Sequence, residues 1–266
     1  ADKSSAKINT TNKSRGSSSK GSPRKVVPKP SELDVSIIIP ARLQTKEDVI
    51  WLEEAVSSAL SQTKSCEVIV ILNDCKEKYV PADGVQVIES EKGLAKARNA
   101  GVKHSTTPYF FPLDANDWLP KDAIQTLWKH KPESGFIYGS TMLFRGERET
   151  GDQFFYKAKE YDFEELMKIV YFPNGALQKK SDWETIGGWD EELPFLEDWD
   201  YWLTAGEKGI CGHHILDVVY WYRQHDGIVS ANKHTPEWKE TKELIKTKHE
   251  AIFKGEYPMA CCGNKK

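Results

Sequence analysis

Asp114-Ala115-Asn116-Asp117 closes an apolar run at 109–113, so several oxygen donors gather at the tip of what reads as a buried strand. Oxygen donors in that position suit a hard divalent cation, and a hard cation in turn suits a diphosphate. An open α/β sheet places its ligand at that edge. Taken alone, the same four residues read better as an Asx-rich turn ahead of a helix. A second acidic pair, Glu197-Asp198, stands at the start of a predicted helix over 197–208. Two acids there either complement the helix dipole or supply a base that takes a proton. Asp200, two residues on, reads as structural.

Three further segments set charge or special backbone beside apolar runs. Pro40-Ala41-Arg42 follows the first such run, and Arg42 reads as a surface ion pair or as a phosphate contact. Asn73-Asp74 ends the second, EVIVIL, which places it beside Arg42 at the carboxyl edge of a sheet. The stretch KGLAKARNAG at 92–101 carries Gly93 at a helix start, where the backbone can approach an anion closely and free amides favour it. Arg98 and Asn99 sit one turn further in.

Holding these groups together requires a sheet. Apolar runs predict strands over 35–39, 67–72, 85–88, 109–113 and 136–140. Helical spacing predicts helices over 47–62, 94–102 and 120–129, the last opened by Pro120. The alternation predicts an α/β fold with a mostly parallel central sheet, right-handed crossovers and helices on both faces. From 141 to 170 the pattern weakens and reads as a mobile connection. Helices are expected over 161–169 and 181–186, a strand over 214–222, and an amphipathic helix near 236–253.

In their order and spacing, SIIIPAR, EVIVILND, KGLAKARNAG, FFPLDANDWLP and LPFLEDWDYWL resemble the family 2 glycosyltransferases of the GT-A fold, from about 35 to 230. The resemblance implies one Rossmann-like GT-A domain, an inverting metal-dependent transfer, and a nucleoside-diphosphate sugar as donor, UDP being the most frequent nucleotide. It implies Pro40, Ala41, Arg42, Asn73, Asp74, Gly93, Lys96, Arg98, Asp114 and Ala115 on the nucleotide, Asn174 lining the sugar site, and Arg223 closing over the diphosphate. Asn73 is equally readable as a turn residue, and Asn99 is read as structural. Asp198 would be the general base, with Glu197 orienting it or holding the acceptor. A divalent cation, Mn²⁺ or Mg²⁺, would sit on Asp114 and Asn116. His225 reads evenly as a further ligand or an ordinary residue, and Asp117 as a metal helper or a turn stabiliser. The chain departs from the family at Asn116, where Asp is usual; Asn keeps an oxygen donor and loses a charge.

Two other classes fit parts of the sequence. A catalytically silent nucleotide-sugar or carbohydrate-binding protein of the same fold would have no use for Asp198. A nucleotidyltransferase would want a glycine-rich basic loop after the first strand, and PARLQTKED is a poor one.

Bulk properties narrow the setting. A net charge of −3 gives the whole chain no general affinity for polyanions. Residues 1–34 read as a disordered basic tail, with eight Lys or Arg and one Asp in the first thirty. That tail is either solvated, a leftover of expression, or a weak tether to an anionic partner. The folded domain is expected over 35–255, with a flexible end at 256–266. No run is long enough to span a bilayer, and no apolar signal core stands near the start. The five cysteines lack metal-ligand spacing, and their odd number argues against a disulfide framework. A cytoplasmic setting, or one peripheral to a membrane, is therefore expected. Polysaccharide, lipid-linked sugar, protein and modified nucleic acid all stand as acceptors.

Overall fold

The computed structural model describes residues 33–148, 150–173, 175–225 and 235–257. Asn174, all but residues 33 and 34 of the basic tail read over 1–34, and all but residues 256 and 257 of the end read over 256–266 lie outside the described residues.

Strands β1 (Val35–Ala41), β2 (Glu67–Asn73), β3 (Val85–Ser90), β4 (Tyr109–Pro112) and β7 (Gln178–Lys179) form a five-stranded sheet in the order β3-β2-β1-β4-β7. The pairs β1–β2, β1–β4 and β2–β3 are parallel, and β4–β7 is antiparallel. Both faces are covered, which is why β1 is apolar at nearly every position. Val35, Ile37 and Ile39 pack with Leu52 and Val56 of α1 (Lys46–Leu60) and with Ile124 and Leu127 of α3 (Ala123–His130). Ile38, Ile69 and Ile71 pack on the other face with Val102 of α2 (Leu94–His104) and the aromatic residues of α6 (Glu197–Glu207). A capping box between Thr45 and Asp48 opens α1. The small residues of α2 let it lie close to the sheet; a Cβ on Gly101 would stand 2.7 Å from Cδ1 of Ile71.

A second sheet, in the order β6-β5-β8, is built from β5 (Phe136–Arg145), β6 (Asp152–Tyr156) and β8 (Gly212–Arg223). It corrects the reading of 141–170 as a mobile connection. Residues 141–145 extend β5, and β6 pairs back on them antiparallel. β6 is exposed along almost its whole length, so it carries no alternation of buried and exposed side chains to announce it. The two sheets are joined where Ile137 and Leu177 exchange N–H···O bonds of 3.1 and 2.9 Å.

Helix α3 starts at Ala123 rather than Pro120, whose carbonyl accepts from the Ala123 N–H at 3.0 Å. The remaining helices are α4 (Phe163–Leu166), shorter than expected, α5 (Lys180–Ile186), α7 (Pro236–Lys248) and α8 (Glu250–Phe253). Among the described residues Cys66 and Cys75 are free. Among the described residues no helix is long and apolar enough to cross a membrane.

Candidate active site

The carboxyl ends of the parallel strands lie along one edge, and the charged residues singled out in the sequence collect there. β1 delivers Arg42 and β2 delivers Asp74, whose Oδ2 takes Nε and Nη2 of Arg42, each at 3.0 Å, and Nζ of Lys92 at 3.1 Å. Lys92 and Arg42 hold the Asp74 carboxyl below its usual range. Asp74 has φ 50°, a left-handed turn that Asp tolerates. Gly93, at φ 138°, opens α2, and Lys96 pairs with Glu91 at 2.6 Å.

Pro40, Ala41 and Asn73 belong to β1 and β2, not to a loop after them. Pro40 and Ala41 are buried residues of β1 in register with Ile71 and Leu72, and Asn73 donates to the Ala41 carbonyl at 3.1 Å. The Asn73 side chain thus ties the end of β2 to β1. The apolar run simply continues past the point where the sequence reading ended the strand.

The centre of the site is Arg98. It is fully buried, and its guanidinium donates to Oε1 of Glu197 at 2.7 Å and to Oδ1 of Asp114 at 2.9 Å. Its two terminal nitrogens therefore tie two acids together. Asn99, next to it, clamps the Trp189 backbone from both sides, accepting from its N–H at 2.9 Å and donating to its carbonyl at 2.8 Å.

Glu197 and Asp198 open α6, as expected. The residue before them, Leu196, has φ 61°, rare for a branched apolar side chain, and it turns the chain so that both acids enter the site. Asp198 is left outside the Arg98 fork; its Oδ1 accepts from the Trp199 N–H at 2.7 Å. Burial, then the Glu197 charge, push the Asp198 carboxyl up to about 6, against the pull of Arg98. Asp200 faces away and meets Lys248, the last residue of α7, and His249 just after it, at 2.9 and 3.0 Å, which makes it structural.

Asp114 follows β4 and is partly exposed; the turn it begins is closed by the Asp117 N–H on the Asp114 carbonyl at 3.0 Å. Asp117 is buried. It accepts from the Tyr220 hydroxyl at 2.7 Å and from the Arg223 N–H at 2.8 Å, so it fixes the turn. Burial and the neighbouring Asp114 charge raise its carboxyl well above the usual range. The same Tyr220 hydroxyl accepts from the Asp114 N–H at 3.3 Å. Ala115 is partly buried against the core.

Asn116 Nδ2 lies 2.7 Å from His225 Nε2, so the structure brings those two expected donors together. Arg223 donates to the Asn116 carbonyl at 2.9 Å and pairs with Glu54 of α1. Among the described residues no three His, Cys, Asp or Glu side chains gather as a metal site. A 410 Å³ cavity lined by Asn99, Trp183, Asp190, Asp200 and Lys248 contains none of the acids held by Arg98.

Sequence reasoning missed Tyr220, Glu54 and Trp51. Tyr220 sits two residues before the Tyr222-Arg223-Gln224-His225 segment and reads as ordinary strand packing. Trp51, whose ring centroid is 4.9 Å from that of His225, is hidden in the amphipathic pattern of α1.

The pattern described as glycosyl transferase family 2 matches residues 36–178, more than half of the chain. The chain belongs to glycosyl transferase family 2. It is 26% identical over 188 residues to the uncharacterized glycosyltransferase YwdF of Bacillus subtilis, covering 66% of this chain and 69% of that one. It is 29% identical over 230 residues to the Escherichia coli UDP-Glc:alpha-D-GlcNAc-diphosphoundecaprenol beta-1,3-glucosyltransferase WfaP, covering 80% of this chain and 83% of that one. The fold is that of S. aureus TarS 1–349 in its UDP-GlcNAc complex, with TM-score 0.62 and 16% identity over 81% of this chain; the chain spans 66% of that structure. The family and the GT-A fold read from the motifs are thus both met.

Proposed function

We propose that this chain transfers a sugar from a nucleoside-diphosphate sugar, UDP being the nucleotide tested first, to an acceptor hydroxyl with inversion. The observation that carries the reading is the division of labour around Arg98. It holds Asp114 and Glu197 and leaves Asp198 as a partly buried carboxyl pushed up to about 6. A base of that strength is mostly ionised at neutral pH and still takes a proton effectively. Asp198 removes the acceptor proton, the acceptor oxygen attacks the anomeric carbon from the opposite face, and the bond to the diphosphate oxygen breaks. The nucleoside diphosphate leaves with the electron pair.

The donors near the leaving group fit a divalent cation shared with the diphosphate. Asp114 offers a carboxylate, Asn116 an amide oxygen and His225 an imidazole, a mixed set suited to Mn²⁺ or Mg²⁺ when phosphate oxygens complete the shell. When bound, the cation would supply charge neutralisation at the departing diphosphate. Arg42, Lys92 and Asp74, at the ends of β1 to β3, are positioned for the nucleoside and its phosphates.

A melting-temperature panel tests this reading, with UDP, GDP, UDP-glucose and UDP-GlcNAc, each with and without Mn²⁺. A ligand of the folded state raises the melting temperature by mass action. No shift with any nucleotide sinks the proposal. A lipid-linked sugar is a natural first acceptor, because the E. coli relative is named for one.

A further inference from the structure

The register of the small sheet places Tyr156, Thr141 and Tyr220 in one row across β6, β5 and β8, and Phe154, Leu143 and Tyr222 in the next row. Residues two apart on a strand share a face, so both rows lie on the side where Tyr220 meets Asp117 and Asp114. The first row is covered. Tyr156 donates to the Tyr171 carbonyl at 3.1 Å, and Gly175 presses on the Tyr220 ring. The second row is open, with Phe154 67% and Tyr222 42% exposed. From Phe154 to Tyr222 is two strand spacings, roughly 10 Å.

We propose that Tyr222, Leu143 and Phe154 form a platform for the saccharide part of the acceptor, carrying neutral pyranose rings away from Asp198. The inference rests on the glycosyltransferase reading and adds the acceptor's chemistry to it. Three observations select this occupant. The row begins two residues beyond Tyr220 on the same face, so a chain lying on it is continuous with the candidate active site. Its three side chains are flat or apolar and uncharged, which suits the C–H faces of pyranose rings. Burial, and then the charges of Asp117, Asp114 and Asp198, push the Tyr222 phenol up to about 12, so the row presents an uncharged face throughout.

The test uses the full chain with cellotriose, chitotriose and maltotriose as probes, read by saturation-transfer NMR, and with UDP read by calorimetry. At least one trisaccharide should bind the wild type. Its affinity should fall about tenfold in Tyr222→Ala and in Phe154→Ala. It should survive in Phe154→Trp, with UDP affinity unchanged in all three variants. Phe154 is exposed enough that its replacement leaves the fold intact.

Several outcomes overturn the platform. They are no saccharide signal in the wild type, an equal signal in the alanine variants, or UDP affinity falling in step. Loss of phosphatidylglycerol-vesicle binding in place of saccharide binding would assign the row to a membrane. A dimer split by Phe154→Ala would assign it to a second copy. Failure of the wild type to bind any nucleotide removes the proposed transferase function, while the saccharide signal and its dependence on Phe154 still decide the platform.

Discussion

Arg98 donates to Glu197 at 2.7 Å from a position with no solvent exposure, and its other terminal nitrogen is committed to Asp114. One cation thus links the tip of β4 to the first turn of α6, and both acids depend on it. Arg98→Ala leaves two carboxylates crowded and unpaired, and should destabilise the fold by about 3–5 kcal/mol in urea unfolding. Arg98→Lys keeps the charge but cannot reach both acids with a fixed fork, so part of the loss should remain. Wild-type stability in Arg98→Ala would remove Arg98 from the centre of the site.

Asp198→Asn separates binding from chemistry. UDP binding should persist, while transfer should fall by at least about a hundredfold, the usual scale of a lost base. The activity of the wild type should rise as pH passes upward through about 6, because only the ionised carboxyl takes a proton. The stability effect runs the other way. A carboxyl raised on folding contributes fully at pH below its ordinary value and loses that contribution as pH rises through about 6. At pH 7.5 the Asn variant should therefore be more stable, by about 1–3 kcal/mol. At pH 3.5 the gain should vanish. An Asn variant that is less stable at pH 7.5 would contradict the burial argument.

Asp114→Ala should weaken UDP binding in Mn²⁺ by about tenfold or more and also loosen Arg98, since the residue serves both. Asn116→Asp should preserve or tighten binding in Mn²⁺ by restoring a charge beside His225. Calorimetry with and without EDTA separates these effects. If UDP binding and transfer are indifferent to EDTA in the wild type, the cation has no place. The diphosphate charge would then fall to Arg42 and Lys92.

The sheet and the acids were legible because each rests on a local signal. Apolar runs of strand length marked β1, β2 and β4, and the acids at their ends were visible as charge beside those runs. What stayed hidden depends on register between distant segments. Pro40 and Ala41 looked like a loop because proline usually punctuates a strand, yet in register with Ile71 and Leu72 they belong to its buried end. The ion pairs of Arg98 were not legible, because nothing local announces that Asp114 and Glu197 fold onto it. Tyr220 had no signal of its own; its hydroxyl matters only because β8 passes beside the 114–117 turn.

Gly175 offers a test of that last contact from outside the acids. A Cβ there would stand 2.3 Å from Cδ2 of Tyr220 and 3.0 Å from Cζ of Phe111, both rigid ring atoms in a packed core. Gly175→Ala must push the Tyr220 ring, and through it the hydroxyl that donates to Asp117 and accepts from the Asp114 N–H. Overpacking of this kind costs about 1–3 kcal/mol. Tyr220→Phe keeps the ring and removes the hydroxyl, leaving the buried Asp117 with one donor fewer, at about 1–3 kcal/mol. Each variant should unfold at lower urea and weaken Mn²⁺-dependent UDP binding, because the turn presenting Asp114 and Asn116 loses its support. The two changes act on one hydroxyl, so the UDP-binding loss in the double variant should be smaller than the sum of the single losses. Full UDP affinity in Gly175→Ala, despite lowered stability, would show that the Tyr220 contact shapes the core and not the site.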